Sequence, residues 1–523
     1  MKSKQLVALL AVFIASAAVR IVGLENNPPG LFVDEAAAAL DARSIILTGK
    51  DMWGESFPLF FRSLGDYNSG FHRYLMIPFV ALFGLKIWSI RIVSALISLL
   101  TVIVCYFIGK KMGGFRLGLF AAMFFGFSPW SIMYARVAME QVFFPFFLSL
   151  IIWAILVWRD ANARFYRDLC LGALFGLTFY TYQPARVLVP LLFAGFIIIF
   201  FKRIGFKRAL QITVGFTLAL LPAIHFVLVR PHDFFARASI LSIFSEPKPI
   251  ADYVFNFISN YIAHYSPQFL FFEGDANIRH SPVGFGMMYP IAIFLIPLGF
   301  ANLFKNKREL FWLFLLFAAL YPFPAALTTT GIPHGLRSLG AIPALEILSA
   351  LGLEFLLVEG KGRLKAAPLA FVIAELALFL VFAHHLFFKY PSYSKSQWRW
   401  DYKELFSELE PYKNTHQIVL VSYEPFAWVL AAFYWQVDPK EFQEKQRVFD
   451  LITPVPERFA KTYALPSGVL QKPERDKLTI VAYSAYPTTM SLPRAEPWKT
   501  IKFPDDKPAF YLYLSEPTTP GAP

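Results

Sequence analysis

Pro28-Pro29-Gly30-Leu31-Phe32-Val33-Asp34-Glu35, running into Ala36-Ala37-Ala38-Ala39-Leu40-Asp41-Ala42-Arg43, is the stretch on which the fold turns. It follows the first long apolar segment, residues 6–24, so two adjacent carboxylates stand where the chain leaves a hydrophobic environment. Pro28, Pro29 and Gly30 stop any helix emerging from that segment. The alanine run after Asp34 favours a new helix, and acids at its start suit both a cap and the positive end of the helix dipole. Alone, the pair reads simply as an N-cap Asp34 and a first-turn Glu35. The rest of the chain gives it a second meaning.

The chain has 523 residues, of which 56% are hydrophobic and only 16% charged, with 58 phenylalanines. A soluble protein of this length has no interior large enough for so much apolar surface, so the composition is that of a polytopic membrane protein. The net charge of +13 comes from Lys and Arg spread through short loops. It forms neither a single basic patch nor a nucleic-acid motif, so no nucleic-acid partner is expected. Cys105 and Cys170 both lie in apolar segments, which argues against a disulfide framework and a cysteine zinc site.

Beyond residues 6–24, runs near spanning length occur at 87–108, 115–128, 143–158, 169–181, 187–201, 209–228, 288–304, 310–327, 338–358 and 367–387. The total is about eleven. Ala15-Ser16-Ala17 resembles a signal-peptide cleavage site, but the apolar run continues to Leu24, which favours a retained first helix. Every second loop is basic: Lys110/Lys111/Arg116, Arg159/Arg164/Arg167, Lys202/Arg203/Lys207/Arg208, Lys305/Lys307/Arg308 and Lys361/Arg363/Lys365. These loops are expected in the cytoplasm. The long loop 25–85 then lies outside, and its segments 34–48 and 71–84, too short or too mixed to span, are predicted as interfacial helices. From about 389 the composition changes: 398–412 is amphipathic, 416–423, 477–483 and 509–514 are strand-like, and 425–435 is helical. The expectation is an all-α polytopic membrane domain over 1–388 and a small soluble α/β domain over 389–523, outside the cytoplasm and ending in a Pro/Thr/Gly tail.

Four polar groups fall on the side opposite the basic loops. Asp34-Glu35 is the first. Tyr134 to Gln141 is the second; on a helix, Arg136 and Glu140 would share a face, as a plain ion pair or as the lining of a cavity. The third is Tyr180-Thr181-Tyr182-Gln183-Pro184-Ala185-Arg186, where Arg186 either serves a site or snorkels to headgroups. Pro333-His334-Gly335-Leu336-Arg337-Ser338 is the fourth, with a His and an Arg able to clamp a phosphate. Within loop 229–287, Asp275 and His280 are placed to orient a substrate or bind a metal, or to hold their own loop together. The chain has no P-loop, Gly-x-Ser-x-Gly, His-Glu-x-x-His or dinucleotide fingerprint. Carboxylates and arginines at the outer membrane face, without a nucleotide site, suggest a lipid-linked, phosphate-bearing donor. A carboxylate there can take the proton of an attacking hydroxyl, and arginines can hold the departing phosphate.

This order of features resembles the integral-membrane glycosyltransferases of the GT-C superfamily, nearest the branch of the protein O-mannosyltransferases and the lipid A aminoarabinose transferase (glycosyltransferase family 39 and its relatives). Asp34-Glu35 in the first outer loop carries the resemblance, with Trp88-Ser89-Ile90-Arg91 at the start of span two, Arg136…Glu140 after Ser128-Pro129, and Tyr180-Thr181-Tyr182…Arg186…Pro190. It covers roughly residues 1–390. The resemblance implies transfer of a sugar from a polyprenyl-phosphate donor to a lipid, glycan or protein hydroxyl outside the cytoplasm, by an inverting single displacement. It implies Asp34 as the catalytic carboxylate with Glu35 supporting, and Arg136, Arg186 and Arg337 as phosphate-binding groups. Glu140 stands where relatives often have Asp, leaving its role open between acceptor positioning and metal binding. Tyr182, Gln183, Asp275, His280 and His334 are further candidate substrate contacts. No ligand set specifies a metal, so a divalent ion remains open as a cofactor. The competing readings are a transporter or flippase of lipid-linked sugars and a non-catalytic membrane scaffold. The former calls for charged residues mid-bilayer on broken helices, whereas here they gather at one interface; the latter leaves Asp34-Glu35 and Arg136/Glu140 unexplained.

Overall fold

The computed structural model describes residues 3–160, 162, 164–360, 365–421, 424–444, 452–455, 479–485 and 496–515. The Pro/Thr/Gly tail lies outside the described residues. Helices dominate. α1 (Ser3–Ile21) is followed by α2 (Val33–Thr48), a two-stranded hairpin of β1 (Phe60–Arg62) and β2 (Tyr67–Ser69), and α3 (Phe71–Phe83). α2 and α3 are thus the two short helices expected of the first loop.

The next two long helices are each two spans joined end to end. α4 (Ile87–Phe127) is broken at Gly113 and Gly114, and α8 (Ala185–Val229) at Gly205. Gly114 and Gly205 have φ of 84° and 66°, a region that glycine enters without steric cost, and each turns the chain back on itself. Close contact across the α8 turn is direct: the Phe193 and Phe216 rings stack 4.1 Å apart. Between them lie α5 (Pro129–Ala135), α6 (Phe143–Arg159) and α7 (Phe165–Thr178). α9 (Pro231–Leu241) and α10 (Ile250–Ala263) occupy the long loop, and α11 (Ala292–Asn306), α12 (Arg308–Leu320), α13 (Phe323–Ala326), α14 (Ile342–Glu359) and α15 (Ala367–His384) complete the bundle.

Among the described residues, seven helical stretches are long and apolar enough to cross a membrane. With the α4 and α8 hairpins counted as two spans each and the shorter apolar α11 added, the described residues give ten of the eleven expected segments, and the remaining one, 169–181, falls on the short α7 with Arg167 and Asp168 in its first turn. Leu10, Leu100, Ile198, Leu221 and Leu380 remain exposed on these helices, the surface that lipid would cover.

The C-terminal part is a mixed five-stranded sheet in the order β4-β3-β5-β7-β6. β3 (Gln417–Val421) runs parallel to β4 (Ile452–Val455) and β5 (Thr479–Ser484), while β7 (Pro508–Ser515) is antiparallel to β5 and to β6 (Lys499–Lys502). Helices α16 (Tyr390–Ser394) and α17 (Trp400–Leu409) lead into the sheet, and α18 (Ala427–Tyr434) and α19 (Pro439–Glu444) follow β3. One apolar core runs from α2 and α3 into the sheet: Ala36, Leu40 and Met76 share it with Leu405, Trp428, Leu430 and Phe510. Helices α18 and α19 of the C-terminal part therefore pack directly on the helix that carries Asp34. Near that helix, an added Cβ at Gly30 would stand 2.4 Å from the Trp398 carbonyl oxygen, so only glycine allows the loop to lie so close to the C-terminal part.

Candidate active site

A cavity of about 530 Å³ opens among α2, the β1–β2 hairpin, the 134–141 segment, the start of α8, α9 and the loops 277–280 and 334–337. Asp34, Glu140, Tyr182, Gln183, Arg186, His280, His334 and Arg337 all line it. So do Asp66, Asn68, Arg237 and Arg279, which the sequence did not single out as site residues. Phe32, Phe234, Phe235, Leu241, Phe244, Leu327 and Trp398 form apolar walls.

The adjacent carboxylates Asp34 and Glu35 separate here. α2 begins at Val33 with Phe32 as its N-cap, so Asp34 is not the cap but the second helical residue. Glu35 reaches back to the Phe32 N–H at 3.2 Å, accepts from Arg91 Nε and Nη2 at 2.8 and 2.9 Å, and accepts from the Ala138 N–H at 2.8 Å. It is fully buried and outside the cavity lining. The Arg91 guanidinium also donates to the carbonyls of Leu24, Pro28 and Gly30. Glu35 thus fixes the Pro-Pro-Gly loop and the 138 backbone, a positioning role.

Asp34 instead faces the cavity, and its carboxylate has no hydrogen-bond partner among the described residues. Burial, then the nearby Asp66 carboxylate, pushes its pKa up to about 6 against the opposing pull of Arg279 and Arg237.

Arg136 and Glu140 do not share a helical face. α5 ends at Ala135, and Glu140 begins a single 3-10 turn, so the two side chains diverge. Arg136 is buried and spends its guanidinium on the carbonyls of Val19, Val22 and Asn27, at 2.6, 2.8 and 2.7 Å. It does not line the cavity. The expected phosphate-binding position of Arg136 is therefore not where the structure puts it: carbonyls at the end of α1 outcompete the cavity for its donors. Glu140 stays on the cavity wall.

Gln183 closes one side. Its amide donates to Asp66 Oδ2 and Asn68 Oδ1, both at 3.0 Å, fastening the β1–β2 hairpin to the start of α8. Arg186 lies between the Phe60 and Phe234 rings, 4.9 and 4.5 Å from their centroids, and donates to the carbonyls of Phe234 and Tyr67. Its buried Nε has no partner. Arg337 is held through Nη1 by Thr328 Oγ1 and the Thr330 carbonyl, at 2.8 and 2.7 Å. Arg279 stacks on Phe32, 3.8 Å from the ring centroid, and its interaction with Asp34 opposes the downward pull of burial on its pKa. Arg237 sits 3.9 Å from Asp66 Oδ2. Four arginines and three carboxylates therefore surround one space, with cations in excess, which suits a doubly charged phosphate beside a carboxylate.

Asp275 stands behind His280 rather than in the lining, and accepts from its Nδ1 at 2.7 Å. Sequence reasoning missed Arg237 and Asp66 because neither stands in a recognisable motif. Arg237 is on amphipathic α9, and only the fold brings that helix over the hairpin tip.

The helical bundle with a small sheet beside it is similar in fold to proteins of known structure. Residues 71–228 match the family model described as Dolichyl-phosphate-mannose-protein mannosyltransferase. The chain is similar in structure to ArnT from Cupriavidus metallidurans bound to undecaprenyl phosphate, with a TM-score of 0.54 and 14% identity over 100% of both chains. It is equally similar to ArnT in the apo state, with a TM-score of 0.55 and 14% identity over 97% of each chain. The archaeal oligosaccharyltransferase AglB from Archaeoglobus fulgidus, in complex with an inhibitory peptide and a dolichol-phosphate, aligns over 92% of this chain and 69% of that one, at 12% identity and a TM-score of 0.49. No curated protein matches the chain in sequence. At these identities the likeness to the solved structures is one of fold.

Proposed function

We propose that the protein transfers a sugar from a polyprenyl-phosphate-linked donor to an acceptor hydroxyl on a lipid, glycan or protein. In this reading the reaction takes place at the extracytoplasmic face of the cell membrane, and the basic loops between spans lie in the cytoplasm. The observation that carries the proposal is the single cavity in which Asp34, without a hydrogen-bond partner among the described residues, faces Arg186, Arg237, Arg279 and Arg337. A fold shared with a protein crystallised with undecaprenyl phosphate supports the lipid carrier.

The step is a single displacement with inversion. Asp34 takes the proton of the acceptor hydroxyl as its oxygen bonds to the anomeric carbon, and the bond from that carbon to the phosphate oxygen breaks. The electron pair leaves on the polyprenyl phosphate, where the arginines stabilise it. Glu140 flanks the acceptor side, Tyr182 and the apolar walls confine the sugar, and Glu35 holds α2 so that Asp34 points inward. Arg136 is assigned to the scaffold.

The test is a panel of radiolabelled polyprenyl-phosphate sugars offered to the purified full-length protein in lipid, with release of free polyprenyl phosphate as the readout. Cleavage of one donor, dependent on an acceptor fraction, is expected. Movement of donor across the bilayer without cleavage would instead identify a transporter.

A further inference from the structure

A second polar cluster lies against the cavity wall and has no part in the proton or phosphate chemistry above. Asp275, His280 and His334 bring one carboxylate oxygen and two ring nitrogens to within 4.8 Å of one another. Among the described residues it is the only such grouping of His, Cys, Asp and Glu. Asp275 and His280 are buried, and the His280 and His334 rings lie 4.8 Å apart between centroids.

The backbone around the cluster is held from behind. His264 Nδ1 stands 2.7 Å from the Asn260 carbonyl oxygen and so donates to it, which leaves Nε2 to accept the His334 N–H at 3.0 Å. Trp130 Nε1 donates to the Gly335 carbonyl at 2.9 Å, and the Gly335 N–H donates to Asp275 Oδ2 at 2.7 Å. Asp275 Oδ1 accepts the Asn277 N–H at 2.8 Å. Outer bonds of this kind orient the ligands of metal sites.

On the inner side His280 Nδ1 meets Asp275 Oδ2 at 2.7 Å, while the His334 ring stands apart from both. His334 Nδ1 is 3.9 Å from Asp275 Oδ2, beyond hydrogen-bond reach, and meets only the Arg337 N–H at 3.4 Å. The hydroxyl of Tyr134 is buried without a partner. That hydroxyl and Asp275 Oδ2 lie 3.3 and 3.4 Å from the point a Gly335 Cβ would occupy, with the Met287 methyl 2.7 Å from it, so the two polar atoms flank the same glycine. A buried tyrosine hydroxyl normally finds a partner, and this one stands unmet beside His280 and Asp275.

We propose that Asp275, His280 and His334 bind one divalent transition ion of the zinc type, through one oxygen and one nitrogen from each ring, with its open position toward Tyr134 and the cavity. Two imidazoles and a carboxylate suit such an ion better than Ca²⁺ or Mg²⁺, which favour all-oxygen shells. Ligand atoms on a shared tetrahedral ion would lie roughly 3.3 Å apart, so binding draws the two loops together. The ion ties loop 275–281 to loop 334–337, and with them Arg279 and Arg337. Metal binding here is separate from sugar transfer: either can fail without the other.

The experiment uses full-length protein in detergent, stripped with a chelator and titrated with ZnCl2 and, in parallel, CoCl2. One ion per chain is expected, with affinity falling at least ~10-fold in Asp275→Asn. His334→Cys, loaded with Co²⁺, should gain a sulfur-to-cobalt charge-transfer band that the wild type lacks. X-ray absorption of the zinc-loaded wild type should show two imidazoles in the first shell, a result that needs no variant to fold. Failure of the wild type to bind one equivalent, an Asp275→Asn affinity equal to wild type, or fewer than two imidazoles in that shell would overturn the assignment.

Discussion

Glu35 grips Arg91 through both carboxylate oxygens, at 2.8 and 2.9 Å, with both side chains fully out of solvent. Its neighbour Asp34 faces the cavity with no such partner among the described residues. Two consecutive acids are thus divided into one that is packed into the scaffold and one that faces the cavity. Successive residues on a helix are rotated by about 100°, which is enough to send one side chain into the scaffold and the next into the cavity.

Glu35→Gln should therefore damage the scaffold. Arg91 would keep a buried charge facing a neutral amide, and breaking such a pair costs about 3–5 kcal/mol. Thermal unfolding in detergent should show a clear fall in Tm. A Glu35→Gln protein of wild-type stability and no activity would instead place Glu35 in the chemistry.

Arg136 and Arg337 should separate in the same way. Arg136→Ala orphans the carbonyls of Val19, Val22 and Asn27 and should lower Tm. Arg337→Ala should leave Tm nearly unchanged and raise the KM for the donor by roughly 10- to 100-fold, the worth of one charge-assisted bond to phosphate. Thermal unfolding together with donor-concentration series on the two variants checks both statements.

The pH profile should carry the signature of Asp34. Burial and Asp66 push its pKa to about 6, and a base must be deprotonated to act. The value of kcat/KM should be level above that pH and fall about tenfold per pH unit below it. Replacing Asp66 by Asn removes one upward push and should move the acid limb to lower pH. A limb that stays in place would assign it to another group.

The membrane bundle was legible in the sequence because hydrophobic runs and basic loops are local signals. Gly113-Gly114 and Gly205 fall between the paired spans at 108/115 and 201/209, so even the hairpins were visible as breaks in the apolar pattern. The site was legible only in part. Asp34, Glu140, Arg186 and Arg337 stand out as polar groups between apolar spans, and all four line the cavity. The fate of a guanidinium is not local: Arg136 and Arg186 look alike in sequence, and only the tertiary arrangement shows Arg136 satisfied by carbonyls far along the chain. Arg237 and Asp66 meet through the packing of α9 over a short hairpin, a contact 171 residues apart that no periodicity announces.

The measurement that tests the account most directly is single-turnover release of polyprenyl phosphate from bound donor by Asp34→Asn beside the wild type. Asparagine keeps the size of the side chain and removes the base. Donor affinity should persist while the rate falls by roughly 10²- to 10⁴-fold, the usual contribution of a positioned base. Release at the wild-type rate would contradict the account and turn attention to Glu140.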